Sequence, residues 1–274
     1  MQPFFLDGSA GPLFAIYFPP DDAAPRRGNV LFVPPFAEEM NRARRMAALQ
    51  ARALARIGVG TLLLDLGGTG DSAGEFGDAR WETWLGDVAA ATDWLAENRQ
   101  GRIGLWGLRL GGALAMEALS RRPEAYDRAV LWQPVTSGEM HLVQFLRIRV
   151  AAAMGREDEE GGSTEVLRAA LARSESVEVA GYELNPALAA ALEGRKLADY
   201  APPPGIRVDW LEIVGRPDRP LSPGSQRLLD DWRGRGVDIR AETVPGHPFW
   251  ALQEITVAPE LVDATCRVVA EGWP

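Results

Sequence analysis

The sequence is poor in the residues that build disulfides and metal sites. It has one cysteine and two histidines among 274 residues, so an internal disulfide is excluded and a zinc or cysteine-cluster site has too few ligands. Basic residues are also outnumbered: 29 Lys and Arg stand against 38 Asp and Glu, and the net charge is −9. We therefore expect neither a nucleic-acid partner nor a site for an anionic membrane surface.

Long hydrophobic runs and targeting signals are missing too. No apolar run reaches the roughly 18 residues of a membrane-spanning helix. The first residues, MQPFFLDGSAG, lack the charged and apolar regions of a signal peptide. Apolar residues make up 46% of the chain and charged residues 24%, which is typical of a globular protein. We expect a soluble, cytoplasmic protein without a membrane span.

Short β-rich apolar runs alternate with amphipathic helical stretches along most of the chain, which predicts a mostly parallel sheet covered by helices. The predicted strands are Pro3–Leu6, Leu13–Phe18, Gly28–Pro34, Gly60–Asp65, Arg102–Trp106, Asp127–Gln133, Ile206–Val214 and Asp238–Val244. The predicted helices packed on this sheet are Glu38–Ile57, Trp81–Glu97, Leu110–Ser120, Gly224–Arg235 and Ala258–Glu271. The fourth to seventh strands are nearly continuous in Leu, Ile, Val and Trp, as strands buried on both faces should be.

Residues 137–204 break the alternation. This stretch contains helix-like pieces separated by Gly161-Gly162 and by the short run VEVAGYEL, and it ends in three consecutive prolines. The pieces are His141–Met154, Ser163–Ser174 and Pro186–Glu193. We predict one α/β core domain, formed by residues 1–136 and 205–274, with a helical cap at 137–204 inserted after the sixth strand.

The segment from Gly107 to Gly112 carries the most information about function. A predicted strand runs through Gly107-Leu108-Arg109-Leu110-Gly111-Gly112 directly into an apolar helix. Small residues two positions before and after a central residue permit a sharp, strained turn that holds the central side chain at the carboxyl edge of the sheet. This is the nucleophile-elbow pattern G-x-S-x-G, except that Arg109 stands where the serine is expected.

Other segments follow predicted strands in the order expected around such an elbow. PPFAEE (34–39) follows the third strand, where an oxyanion-hole loop is expected, and the Gly-rich DLGGTGDS (65–72) follows the fourth. Asp218 follows the seventh strand, at the usual position of a triad acid, and His247 follows the eighth, at the position of the triad histidine. Between these two residues there is room for one helix and one strand.

With these motifs the chain resembles the α/β-hydrolase superfamily over nearly its full length. More narrowly, it is similar to the exosortase A system-associated hydrolases of the second type. The segments that carry this resemblance are PFAEEMNRARRM (35–46), DLGGTGDSAGEF (65–76), GLRLGG (107–112), LWQPVTSGEMHLVQFLRIR (131–149) and VAGYEL (179–184). The resemblance implies an α/β-hydrolase fold with a cap and a bacterial protein associated with exopolysaccharide production and protein sorting.

An arginine at the elbow excludes acyl-enzyme chemistry at that position. A guanidinium group stays protonated and offers no usable lone pair, whereas an elbow serine attacks after giving its proton to a histidine. Two interpretations of Arg109 remain open. Either it forms a receptor for a phosphate, carboxylate or acidic sugar group together with the start of the following helix, or it is held in an ion pair with Glu38 or Glu39 at a retired site.

His247 is the candidate general base. If Asp218 accepts a hydrogen bond from Nδ1–H of His247, Nε2 is free to activate a water molecule near neutral pH. Alternatively, the histidine only packs against neighbouring aromatic residues, and Asp218 forms a surface salt bridge. Glu38 and Glu39 stand at a helix start, which acidic residues favour without any chemistry. We expect Phe36, Leu110 and Ser137 to line the same pocket.

The sequence leaves two classes of function open. In the first, the protein hydrolyses an ester-like bond, His247 and Asp218 activate water, and Arg109 binds an anionic substrate or stabilises developing negative charge. In the second, a non-catalytic hydrolase relative binds an anionic polysaccharide precursor or a partner protein. No cofactor is expected, because the GGTG and GLRLGG runs lack the strand, helix and acidic-residue context of a dinucleotide site.

Overall fold

Ten strands and eight helices are formed by the residues that the computed structural model describes, 1–153 and 163–273. The strands are β1 (Gln2–Gly8), β2 (Gly11–Phe18), β3 (Gly28–Val33), β4 (Val59–Leu64), β5 (Arg102–Leu108), β6 (Arg128–Trp132), β7 (Val177–Val179), β8 (Tyr182–Leu184), β9 (Arg207–Val214) and β10 (Asp238–Pro245). The helices are α1 (Glu38–Arg56), α2 (Trp81–Asn98), α3 (Leu110–Arg121), α4 (Gly138–Ala153), α5 (Thr164–Ala172), α6 (Pro186–Glu193), α7 (Pro223–Gly234) and α8 (Pro259–Gly272).

Eight of the strands form one sheet, in the order β1-β2-β4-β3-β5-β6-β9-β10. β2 pairs antiparallel with both β1 and β4, and the remaining pairs are parallel. The prediction of an α/β-hydrolase fold with an eight-stranded, mostly parallel sheet is confirmed. Each predicted strand and core helix is present, with ends that differ by a few residues.

Both faces of the sheet are covered, which explains the nearly continuous apolar runs of its central strands. Successive strand residues point to opposite faces, so Leu31 and Leu105 join one hydrophobic cluster and Phe32 and Trp106 join the other. The first cluster includes apolar residues of α2, α3 and α7, and the second includes those of α1 and α8. The carboxyl ends of the parallel strands are therefore held by packing on two sides.

The insertion between β6 and β9 is anchored to the core at its stem. Gly138 N–H donates to the carbonyl of Arg195, and Leu197 N–H donates to that of Thr136. Helices α4, α5 and α6 lie in this insertion, and the VEVAGYEL run forms the hairpin β7–β8. The division into a core (1–136 and 205–274) and a cap (137–204) stays a prediction. The predicted helix end at Met154 and the break at Gly161-Gly162 lie outside the described residues.

A buried ion pair fixes the last helix to the sheet. Arg128, at the start of β6, donates to Asp209 of β9 and to the backbone carbonyls of Val268 and Val269 in α8. Both members of the pair are almost fully buried. Within the described ranges, no helix combines the length and the apolar character needed to cross a membrane.

Candidate active site

The turn between β5 and α3 has the elbow geometry that the glycine spacing predicts. Arg109 has φ 55° and ψ −121°, a conformation that side-chain-bearing residues rarely adopt. Glycine is required around it, since a Cβ on Gly107 would overlap the backbone of Gly112, and one on Gly111 would overlap the carbonyl oxygens that follow β3. Helix α3 therefore starts in direct contact with the strand ends, and Arg109 stands at the carboxyl edge of the sheet.

The side chain of Arg109 forms an ion pair with Glu39. Its Nε donates to Glu39 Oε1 at 3.1 Å, and the exposed fractions of the two side chains are 18% and 13%. Its guanidinium carbon also lies 5.6 Å from the ring centre of Trp250, in the loop after β10. Of the two carboxylates considered in the sequence, Glu39 is the one bonded, and its charge neutralises that of Arg109.

The two acidic residues at the start of α1 have perturbed ionisation. Burial raises the pKa of Glu39, and Arg109 opposes this rise through its charge and its hydrogen bond. Burial also raises the pKa of Glu38. In each residue the Oε2 atom is buried and has no hydrogen-bond partner in the described part of the chain. These two oxygen atoms are therefore buried acceptors whose hydrogen-bonding capacity is unused among the described residues.

Asp218 and His247 are not brought into hydrogen-bond contact. They follow β9 and β10, which are neighbouring parallel strands, so they lie at the same edge of the sheet as Arg109. Both side chains are exposed, and none of the hydrogen bonds among the described residues joins them. Their predicted pairing as acid and base stays a prediction. Trp250, three residues after His247, connects this loop to the elbow through its contact with Arg109.

The predicted pocket residues divide between two cavities. A polar cavity of about 310 Å³ is lined by Arg109 and Ser137, together with residues from the loop after β6, from α4 and β9, and from the start of α7. Phe36 and Leu110 line a second, apolar cavity of about 10 Å³, next to Trp84. Ser137 Oγ accepts a hydrogen bond from Met140 N–H at 3.3 Å, as a residue that caps α4 does. Glu39 contacts Arg109, and Glu38, Glu39, Asp218 and His247 are in the wall of neither cavity.

Backbone strain at this edge extends beyond the one turn that the sequence pattern predicts. Four non-glycine residues with positive φ follow the carboxyl ends of β3, β5, β6 and β9; they are Ala37, Arg109, Gln133 and Asp218. Strained conformations of this kind cluster at functional sites, because the surrounding structure has to hold them in place. Only the strain at Arg109 was predictable, because glycines flank it at the elbow spacing.

His141 is the site residue that the sequence does not identify. It lies in the first turn of α4, is buried, and lines the polar cavity with Arg109. Its ring meets that of Phe36 edge to face, with the centroids 5.5 Å apart. A histidine in an amphipathic helix is ordinarily a surface or lining residue, and the sequence pattern of α4 has no feature that distinguishes this one.

Comparisons with known proteins agree with this geometry. Residues 24–188 match the family Hydrolase_4, serine aminopeptidase, S33. A thermostable carboxyl esterase from Bacillus coagulans in complex with glycerol has a TM-score of 0.67 and 15% identity, covering 98% of each chain. Est1E from Butyrivibrio proteoclasticus with ferulic acid bound has a TM-score of 0.65 and 16% identity, covering 98% of this chain and 96% of its own.

A third similar structure is a soluble variant of monoglyceride lipase from Saccharomyces cerevisiae in complex with a substrate analog. It has a TM-score of 0.65 and 13% identity, and the match covers 100% of this chain and 97% of the lipase. Identities this low establish a shared fold and no more. Among the curated proteins compared, none matches this chain.

Proposed function

We propose that this chain, which belongs to the Hydrolase_4 family (serine aminopeptidase, S33), hydrolyses an ester-like bond of a small polar substrate by direct attack of water. The matched family is one of hydrolases, and the similar structures include a carboxyl esterase and a monoglyceride lipase. A serine acyl-enzyme is ruled out at the elbow by the chemistry of Arg109. Direct attack by water breaks the same ester bond without forming an acyl-enzyme intermediate.

The position of Arg109 carries this proposal. Its Nε is occupied by Glu39, whereas neither Nη atom has a hydrogen-bond partner among the described residues, and the side chain lines the polar cavity. Donors held in place beside a reacting carbonyl stabilise the negative charge that develops on its oxygen. In this role Arg109 acts on the substrate oxygen, or on an anionic group of the substrate, without being consumed.

His247 supplies the base in this proposal, with Asp218 as its orienting partner. As the water oxygen attacks the carbonyl carbon, Nε2 of His247 accepts the water proton. It then gives that proton to the leaving alkoxide, so the products are an acid and an alcohol. Support comes from the position of both residues after neighbouring strands and from the contact of the His247 loop with Arg109 through Trp250. Closure of the two loops on a substrate would bring Asp218 to His247.

The remaining predicted residues have substrate-binding roles. Phe36 and Leu110 offer apolar contacts at the small cavity, and Ser137 offers a polar contact at the polar one. Glu38 and Glu39 are assigned to substrate binding by their place at the start of α1, at the carboxyl edge of the sheet. The resemblance to exosortase A system-associated hydrolases directs the search toward sugar-derived and anionic esters linked to exopolysaccharide.

A second candidate function is binding without catalysis. The ion pair between Arg109 and Glu39, and the exposed, separate side chains of Asp218 and His247, favour it. In this alternative the edge of the sheet receives an anionic polysaccharide precursor or a partner protein.

Ester turnover separates the two functions. We expect hydrolysis of p-nitrophenyl acetate or of mono-p-nitrophenyl succinate, loss of that activity in His247→Ala, and retention in Glu254→Ala, an exposed control on the same loop. A fluorophosphonate should not label the protein. Labelling that disappears in Ser137→Ala would show a serine nucleophile and contradict the mechanism. Absence of turnover over a wide ester panel would favour the binding function.

A further inference from the structure

His141 combines deep burial with a complete lack of hydrogen-bond partners. Its side chain lies at the wall of the polar cavity, and the residue is 5% exposed. Neither Nδ1 nor Nε2 has a partner in the part of the chain that the structure describes. Most buried polar side-chain atoms in proteins are hydrogen-bonded, and an unsatisfied one destabilises the fold. A ligand that bonds to this imidazole would remove that penalty.

The surroundings of His141 keep its ring neutral. Burial, and to a smaller extent the charge of Arg109, lower the pKa of His141 to about 3. A neutral imidazole has one N–H donor and one acceptor nitrogen.

The polar atoms left free around Arg109 select the chemistry of a ligand. Among the groups that line the cavity, the neutral His141 has one acceptor nitrogen and one N–H donor without partners among the described residues, and the Nη groups of Arg109 are donors. A carboxylate or phosphate can only accept hydrogen bonds, so it could bond to the N–H of His141 but not to its acceptor nitrogen. The charge of Arg109 is also already balanced by Glu39. A hydroxyl group both donates and accepts, and it therefore fits this set of atoms best.

We propose that His141 is a substrate-binding residue that hydrogen-bonds a hydroxyl group of the substrate in the cavity beside Arg109. The inference rests on the proposed hydrolysis in one respect, namely that the bound molecule is a substrate. The insertion then contributes to specificity directly, through a side chain of α4, and Phe36 holds the ring in place by edge-to-face packing.

The first test observes the imidazole itself and needs no turnover. With two histidines in the sequence, nitrogen NMR spectra of the imidazole groups contain two sets of signals, and the exposed His247 is an internal reference assigned through His247→Ala. The matched probes are 3-hydroxybutyramide and butyramide. We expect the His141 signals to stay those of a neutral ring from pH 5 to 8 and to shift with the hydroxylated amide only. Equal shifts with both amides, or no shift with either, would overturn the proposal.

The second test measures specificity. Wild-type protein should show a kcat/KM for p-nitrophenyl 3-hydroxybutyrate at least about tenfold above that for p-nitrophenyl butyrate, since a site built to bond a hydroxyl discriminates against its absence. His141→Phe should reduce this ratio to near one, mainly by raising the KM for the hydroxylated ester. His141→Gln, which keeps a donor and an acceptor, should restore part of the ratio.

Controls keep the two proposals separate. Arg147→Gln, an exposed change on the same helix, should leave the ratio unchanged, and the Tm of His141→Phe should be equal to or above that of wild type. A ratio that survives in His141→Phe would overturn the role of His141 while leaving hydrolysis in place. If wild-type protein hydrolyses neither ester, the proposed hydrolysis fails, and the NMR experiment alone decides whether His141 binds a hydroxyl group.

Discussion

Replacing Arg109 with methionine would leave Glu39 buried without its ionic partner. Methionine keeps most of the length of the side chain but supplies neither charge nor N–H groups. Because Glu39 is almost completely buried and Arg109 is the largest influence that opposes the rise in its pKa, the pKa of Glu39 should rise further in Arg109→Met. The native state would then hold a proton on Glu39 up to a higher pH than in wild type.

The size of the effect follows from the burial of the pair. Removing one partner of a fully buried ion pair costs about 3–5 kcal/mol. Because the two side chains here keep exposed fractions of 18% and 13%, we expect a loss of about 2–3 kcal/mol at pH 8. A carboxyl whose folded-state pKa is raised contributes stability below its unfolded pKa and loses it as the pH rises through the folded pKa. The loss in Arg109→Met should therefore be smaller at pH 5 than at pH 8.

A double-mutant cycle with Glu39→Gln checks this reasoning. The free energy of unfolding would be measured by urea titration at pH 5 and pH 8 for wild type, both single variants and the double variant. The double variant should regain stability to within about 1 kcal/mol of wild type, because no buried charge remains in it. The exposed pair Arg122–Asp93, with exposed fractions of 38% and 52%, is the control, with an expected coupling below about 1 kcal/mol. Additive single-variant losses, or a loss at Arg109→Met that is equal at both pH values, would refute the account.

Three further predictions concern packing and buried titrating groups. Gly111→Ala should destabilise the protein by about 3 kcal/mol or prevent folding, since its Cβ would overlap two backbone carbonyls. Gly215→Ala is the control: because the space around it is open, it should change the free energy of unfolding by less than about 1 kcal/mol in the same urea titration. Burial raises the pKa of Asp87 to about 6. As the pH rises from 3.5 to 7.5, the free energy of unfolding of wild type should therefore fall by about 2–3 kcal/mol relative to that of Asp87→Asn. A difference that does not depend on pH would contradict the raised pKa. The pKa of His141 is shifted in the opposite direction, downward. As the pH falls from 8 to 5, the free energy of unfolding of wild type should therefore fall by about 2 kcal/mol relative to that of His141→Phe. Absence of this loss would mean that His141 is accessible to protons in the folded state.

The sequence was sufficient to predict the sheet, its helices and the elbow because these features have local signatures. Strands buried on both faces consist largely of consecutive apolar residues, as in β3 and β6. A turn that can be formed only with glycine has glycines at a fixed spacing in the sequence, as around Arg109. The contacts among side chains at the strand ends have no such signature. Glu38 and Glu39 are adjacent and chemically alike, and the choice between them depends on how α1 is oriented at the end of β3. The burial of His141 depends on where α4 folds back against Phe36.

The elbow and the arginine within it have separate physical causes. The close contacts of Gly107 and Gly111 with neighbouring backbone are made by main-chain atoms, as are the hydrogen bonds from Arg109 N–H to the carbonyl of Trp132 and from Val135 N–H to the carbonyl of Arg109. None of them uses the side chain of residue 109, so they would exist with serine as well as with arginine at that position. The packing of α3 against the strand ends is thus enough to maintain the strained turn, and the turn alone is not a sign of nucleophilic catalysis. The chemistry of this edge depends instead on what surrounds the guanidinium group: a carboxylate that cancels its charge, and a neutral histidine whose two nitrogens have no partner among the described residues.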